Sequence, residues 1–202
     1  DKKVSIKDEE VIKLTRRRIT IAKRLKEVQS ETVMTTTYNE VDLSSVIAIR
    51  KKYQDQFVKK HNTKLGFMSF FVKASVNSLQ SFPHLNAELH QDELIVKKYY
   101  DIGIAVATEE GLVVPVLRGA DKLSSAEIEL GIAELAIRSR EKKITLQELQ
   151  GGTFSITNGG VFGSLMSTPL LNPPQVGILG MHKIMEKPIA VNGEVVIRPV
   201  MM

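Results

Sequence analysis

Apolar positions recur with two different periods along this chain, and the change from one to the other divides it. In "TRRRITIAKRLKEVQSE", Ile19, Ala22, Leu25 and Val28 fall at helical spacing, and Thr15 stands where it can cap the first turn. "VMTTTYNEVDL", residues 33–43, is β-branched and alternating, which predicts a strand. Ser44 or Ser45 then starts a second helix through "VIAIRKKYQDQFVKKH", with Ile47, Arg50 and Tyr53 on one face. A third, around Ser69 to Ser81, carries Phe70, Phe71, Val72, Val76 and Leu79 and ends at Phe82-Pro83, because the residue before proline disfavours helix.

From position 85 the period shortens. "LNAEL", "ELIVKKY" and "DIGIAVAT" read as strands, the first two joined by a turn at Gln91-Asp92. "GLVVPVL" is a fourth, with Pro115 marking an edge or a bulge because it lacks a ladder donor. Ser124 caps a helix with Glu127 at capping-box spacing, and Leu146 to Leu149 form a helical turn ended by Gly151-Gly152. "GGTFSITNGG" brings another strand, then come "QVGILGM", "KPIAV" and "EVVIRPV". Asn192-Gly193 between the last two is a strong hairpin signal. Helices cluster early and strands pair antiparallel later, so the expected class is α+β, as one domain over 15–202 preceded by an arm or linker end over 1–14.

Composition narrows the chemistry. The 202 residues include no cysteine, which removes disulfides, thiolate nucleophiles and zinc-thiolate sites together. No apolar run approaches the roughly 18 residues of a membrane span, so no membrane partner is expected. The net charge of +5 is modest. The cluster Arg16, Arg17, Arg18, Lys23, Arg24 and Lys26 interleaves with an apolar stripe and has no aromatic platform, so it reads as a solvated face or a site for one phosphate-bearing ligand, not a nucleic-acid surface. The chain begins at Asp1, as expected of a piece of something longer.

Several catalytic patterns fail. There is no G-x-x-x-x-G-K-[ST] loop and no G-x-S-x-G elbow. His61, His84, His90 and His182 have no metal-ligand spacing and read as surface or capping residues, so no metal is expected. What stands out is residues 151–175, "GGTFSITNGGVFGSLMSTPLLNPPQ". Asn158-Gly159-Gly160 can take positive φ and let a ligand approach the backbone closely. Thr157 can present a hydroxyl at a strand end, while Pro169, Pro173 and Pro174 stiffen the return path. A threonine at a strand end and a Gly-Gly turn are also common structural devices. On its own the segment is a candidate channel.

The same segment, with "RRRITIAKRL", "YNEVDLSSVIAIRKKY", "KLGFMSFFVKA", "FPHLNAEL", "YYDIGIAVATEEGLVVPVLR" and "LSSAEIE" in that order, resembles the catalytic core of the dihydrolipoyl acyltransferases of 2-oxo acid dehydrogenase complexes. The resemblance runs from Arg16 to Met202, and "TNGGVFGS…STP" is most similar to the succinyl-transferring branch, that of the 2-oxoglutarate complex. It implies a chloramphenicol-acetyltransferase-like two-layer fold, a mixed sheet packed against helices. It implies a homotrimer with sites at subunit boundaries, gathered into a larger cubic core of 24 chains.

Each site would be a channel, entered by coenzyme A at one end and by dihydrolipoamide at the other, and a succinyl group would pass to coenzyme A. Thr157 takes the position of the family's oxyanion donor, with Asn158, Gly159, Gly160, Thr168 and Pro169 lining the channel. Basic residues of the first helix would meet the coenzyme A phosphates. The lipoyl group would sit on a separate domain upstream, and upstream domains would also bind the 2-oxoglutarate dehydrogenase and dihydrolipoyl dehydrogenase partners. The setting would be the cytoplasm of a bacterium or the matrix of a mitochondrion.

The family's general base is the histidine of an H-x-x-x-D-G motif, and no histidine among the 202 residues heads one. The expectation is a core lacking its C-terminal part, which holds the oxyanion donor without the base and is inactive by itself. The alternatives are an acetyl or branched-chain dihydrolipoyl acyltransferase, an antibiotic-acetylating enzyme, and a structural cage subunit without chemistry.

Overall fold

The computed structural model describes residues 10–202. Of the predicted arm, positions 1–9 lie outside the described residues, and Glu10 to Leu14 are exposed and form neither helix nor strand. Helix α1 (Arg16–Glu31) begins where expected, with Thr15 Oγ1 accepting from the Arg18 amide at 3.3 Å. Its contact face differs from the predicted stripe. Val28 is buried, but Ile19 and Leu25 are 43% and 46% exposed. The helix is held instead through Arg17, 2.5 Å from Glu110, and through Ile21, beside Gly111. Positions 17, 21 and 28 share a face at 100° per residue, and that face meets the neighbouring hairpin.

The strand expected over 33–43 is much shorter. Only β1 (Val41–Asp42) joins a ladder, antiparallel to β11 (Glu194–Met201). The register places Val41 opposite Met201. It therefore carries residues 33–39 past Met202, and among the described residues they have no ladder partner. Alternation supplies a strand-like face, but a strand exists only where a partner takes its backbone groups.

Helix α2 (Ser44–His61) starts on Asp42, whose Oδ1 accepts from the Ser44 amide at 2.8 Å and hydroxyl at 2.6 Å. These bonds hold the Asp42 carboxyl below its usual range. Helix α3 (Met68–Ser81) stops before Pro83 and buries Val72, Val76 and Leu79 on one face. A hairpin follows, β2 (Ala87–His90) and β3 (Glu93–Val96), turned at Gln91 with φ 53°.

Next come β4 (Ile102–Ile104), β5 (Val106–Thr108), β6 (Gly111–Val113) and β7 (Val116–Leu117). The predicted strand 111–117 is two strands in two sheets, because Pro115 interrupts it. That proline is buried, and its carbonyl accepts from the Ile104 amide at 2.9 Å.

Helix α4 (Ser125–Arg140) carries the predicted capping box between Ser124 and Glu127. Its end is tied down by charge. Glu110, at the β5–β6 turn, accepts from Arg17 and from Lys142 at 2.6 Å, and these bonds lower its pKa, Lys142 most. Arg138 meets Glu148 through two bonds of 2.5 and 2.6 Å and holds that carboxyl down to about 2, aided by Thr145.

Four strands make the sheet that matters for the site. Its order is β7-β4-β8-β9, with β8 (Phe154–Asn158) parallel to both β4 and β9 (Ile178–Met181), and β7 antiparallel to β4. The sheet is mixed, and the class is α+β as expected. A second sheet, β1-β11-β10, uses β10 (Met185–Val191), which turns into β11 at Asn192-Gly193 with φ 53° and 86°.

The core is a layer between the four-stranded sheet and α3 and α4. Ile102, Ile104, Ile156 and Met181 meet Val72, Val76, Leu79, Ile128 and Leu135 there. Strand residues alternate between faces. With Phe154 and Ile156 against the helices, Ser155 and Thr157 belong to the opposite face, and that face carries the site.

Candidate functional site

Thr157 is half-buried, one residue before the end of β8. In the parallel ladder it stands opposite Gly180 of β9. A side chain at Gly180 would reach 3.1 Å from Pro169 Cγ and 3.3 Å from the His182 ring. The glycine thus lets Pro169 and the His182 ring close in on β9 opposite Thr157. Among the described residues the Thr157 hydroxyl has no hydrogen-bond partner, so it is free to donate.

The loop after β8 is fixed at its departing end. The Gly159 amide donates to the Met181 carbonyl at 2.9 Å, and the Lys183 amide donates to the Ser164 carbonyl at 2.9 Å. Asn158 Oδ1 accepts from the Gly160 amide at 2.9 Å, so its side chain folds back on its own turn. Positive φ was expected at the paired glycines, yet Gly159 has φ −80° and the left-handed residue of the loop is Gly163, with φ 80°. Gly160 is needed for room instead. A Cβ there would lie 2.4 Å from the His182 carbonyl oxygen, which is backbone and cannot swing away. Thr168 is exposed, whereas its neighbours Ser167 and Pro169 contact the site wall.

His182 departs from the sequence reading of a surface or capping histidine. It is 5% exposed, with Nε2 2.8 Å from Ser167 Oγ and Nδ1 2.9 Å from the Met202 carbonyl. A carbonyl can only accept, so Nδ1 carries the proton, and in the neutral ring Nε2 accepts from the Ser167 hydroxyl. A sequence signal existed. His182 lies two residues beyond Gly180, just past the end of β9, and continued alternation places both on one face. By contrast His84 is exposed and His90 is an exposed partner of Glu88, at 3.2 Å.

Next to this wall lies a cavity of about 260 Å³ lined by Glu40, Leu165, Met166, Lys183, Met185, Lys187, Val200 and Met202. Thr157 does not line it. Met202, which lines the cavity, accepts from His182 Nδ1, and Leu165 and Met166 of the lining precede Ser167 in the loop. The basic residues of α1 are exposed, as a solvated face or a phosphate site requires. No helix among the described residues is long and apolar enough to cross a membrane.

A hydroxyl presented at the end of a parallel strand, on a face walled by a buried imidazole and a proline, suits stabilisation of an oxyanion during acyl transfer. The described residues thus combine a mixed-sheet α+β architecture with this hydroxyl at the end of β8. The chain belongs to the family of 2-oxoacid dehydrogenases acyltransferase (catalytic domain), whose model matches residues 6–202.

It is 63% identical over 185 residues to the dihydrolipoyllysine-residue succinyltransferase component of the 2-oxoglutarate dehydrogenase complex of Bacillus subtilis (strain 168), covering 92% of this chain and 44% of that protein. The chain thus spans less than half the length of this curated relative. Among solved structures it is similar to a probable dihydrolipoamide acetyltransferase from Listeria monocytogenes, with TM-score 0.90, 31% identity and coverage of 96% and 82%. The cubic core of a pyruvate dehydrogenase multienzyme complex superposes with TM-score 0.92 at 31% identity, covering 96% of this chain and 80% of that one.

Proposed function

We propose that residues 15–202 form the part of a dihydrolipoyl succinyltransferase core that carries the oxyanion donor but not the base, within a 2-oxoglutarate dehydrogenase complex. The coenzyme A sulfur attacks the thioester carbonyl of succinyl-dihydrolipoamide, and a base takes the thiol proton. The new C–S bond makes a tetrahedral oxyanion, toward which the Thr157 hydroxyl donates. Collapse breaks the bond to the dihydrolipoyl sulfur, which leaves as a thiol once protonated. The observation that carries this reading is the half-buried Thr157 hydroxyl opposite Gly180 on the face walled by Pro169 and His182.

Asn158, Gly159 and Gly160 shape the turn beside that hydroxyl, and Thr168 and Pro169 line the approach. The base is the imidazole of an H-x-x-x-D-G motif. None of the histidines here heads that motif, and the Nε2 of His182 is occupied by Ser167. The succinyl assignment is supported by relatives of that name at 54–63% identity, against 31% for the acetyltransferase structures.

Self-association is part of the same proposal: a homotrimer built into a cubic core, with the lipoyl group and the sites for the 2-oxoglutarate dehydrogenase and dihydrolipoyl dehydrogenase partners on other domains. The apolar outer face of the β10–β11 hairpin supports it, with Val195 and Ile197 exposed by 78% and 62%. Bacterial relatives support a cytoplasmic setting. The test is acyl transfer by the complete protein with free dihydrolipoamide and either succinyl- or acetyl-coenzyme A, together with sedimentation. Succinyl-dihydrolipoamide should form in preference, from an assembly larger than a monomer. Preference for acetyl would reassign the branch, and folded monomers with no transfer to either would overturn the reading.

A further inference from the structure

We propose that Gln175 is a positioning residue for this reaction, holding the loop that carries Ser167 and Pro169 in place over Thr157; the proposal rests on the acyl-transfer reading above. Ser155 precedes Thr157 by two positions and shares its face of β8. Ser155 is 1% exposed and Gln175 5% exposed, and they meet in the interior. Ser155 Oγ donates to Gln175 Oε1 at 2.6 Å, and Gln175 Nε2 donates to the Gly152 carbonyl at 3.0 Å. The Gln175 amide in turn donates to the Asn172 carbonyl at 3.1 Å, closing the end of the loop.

Two glycines make room for this link. A Cβ at Gly103, opposite Ser155 in the ladder, would fall 2.8 Å from Ser155 Oγ. One at Gly152 would fall 3.0 Å from Gln175 Nε2.

Two apolar side chains could fill the same volume without burying polar atoms. What they could not do is fix position. A side-chain amide bonded at one end to Ser155 of β8 and at the other to Gly152, two residues before that strand, pins the return of the loop to within a hydrogen-bond length. The departing end is pinned by Gly159 on Met181 and by Asn158 on Gly160. Ser167 and Pro169 lie between those two anchors, so their placement over Thr157 depends on both. A displacement of about 1 Å at such a wall can cost about 10²-fold in rate.

The charged groups near the amide end are Asp101 and Arg118, which pair at 2.9 Å, and Arg118 also donates to the Gly151 carbonyl at 3.3 Å. Their charges offset one another beside Gly152.

The test uses Q175E in the complete protein. A protonated glutamic acid can reproduce both bonds, donating to the Gly152 carbonyl and accepting from Ser155. The ionised form has no donor for Gly152, and burial raises the pH at which it ionises. The expected result is a Q175E kcat near wild type at low pH that falls about ten- to a hundredfold as pH rises, with a nearly constant KM for coenzyme A and no such step in wild type. Q175L should be slow at every pH, and S155A should show a smaller fall.

Thermal midpoint and sedimentation are followed alongside at each pH. A Q175E profile superimposable on wild type, or losses that vanish when rates are expressed per folded assembly, would overturn the proposal. T157A in the same preparation separates the two readings. If T157A is as fast as wild type, the acyl-transfer reading itself fails. If T157A is slow while Q175E and Q175L are normal, only the positioning role falls.

Discussion

Thr157 and Gly180 face each other across the parallel β8–β9 ladder, and the missing side chain at Gly180 leaves room there for the Pro169 ring and the His182 imidazole. The neighbour Ile156, 1% exposed, is sealed in the core. One residue of register would exchange their roles, since a single-step slip moves every side chain to the other face.

Removing that hydroxyl tests its work directly. In the complete protein, T157A should lower kcat by about 10²–10³-fold, the usual effect of deleting one oxyanion donor. KM for coenzyme A should change little, and T157S, which restores a hydroxyl, should recover much of the rate. Steady-state kinetics on the three proteins checks this; equal rates for T157A and wild type would make Thr157 an ordinary strand residue.

Gly160 tolerates no side chain. Its Cβ would sit 2.4 Å from the His182 carbonyl and 2.8 Å from the Lys183 amide nitrogen, both backbone. The turn must shift, and G160A should cost about 1–3 kcal/mol, the range for overpacking. The shift also disturbs His182, so activity should fall with stability. Urea unfolding gives the first quantity, and an unchanged midpoint would place the turn elsewhere.

His182 holds Ser167 through one nitrogen and Met202 through the other. Replacing it with leucine leaves a hydroxyl and a carbonyl without their partner, at a cost of about 1–3 kcal/mol for each group that water does not reach. H182N should keep one of the two bonds and fall between wild type and H182L. Chemical denaturation of the three proteins gives the order, and a leucine variant as stable as wild type would mean that solvent already serves both groups.

Much of this was legible in the sequence, for identifiable reasons. Thr15, Ser124 with Glu127, Phe82-Pro83 and Asn192-Gly193 each act through bonds to residues a few positions away, so local reading located them. The strand over 33–43 was overextended because alternation says nothing about who pairs with it. The α1 stripe was rotated because Arg17 and Ile21 are recruited by Glu110 and Gly111, which lie 93 and 90 positions away. At the site, Thr157 and Pro169 stood out by residue type. His182 and Gln175 did not, since their partners Ser167 and Ser155 lie fifteen and twenty positions off in sequence.

Acid stability should depend on Glu148. Arg138 and Thr145 hold its pKa at about 2, against the ordinary 4.5. A carboxylate with a depressed folded pKa contributes stability above its unfolded pKa, and that contribution is lost as pH falls from about 4.5 through about 2. E148Q lacks the titration. The difference in urea midpoint between wild type and E148Q should therefore be largest at neutral pH and shrink across that window. A difference that stays constant from pH 6 to pH 2 would show that the ion pair contributes nothing.

Gly180 offers a graded test of the position opposite Thr157. An alanine Cβ would lie 3.1 Å from Pro169 Cγ and 3.3 Å from the His182 ring, close contacts that a shift of a few tenths of an ångström relieves. G180A should therefore fold and assemble. The added methyl stands on the face and at the level of Thr157, where the proposed reaction brings the acyl group, so kcat/KM should fall about tenfold while the thermal midpoint moves little. G180V adds two more carbons in the same place and should abolish transfer before it abolishes folding. The order of losses is the discriminating result. If valine destroys the fold while alanine leaves kcat/KM untouched, the missing side chain opposite Thr157 is a packing feature of the β8–β9 pair, and the acyl group approaches from another side.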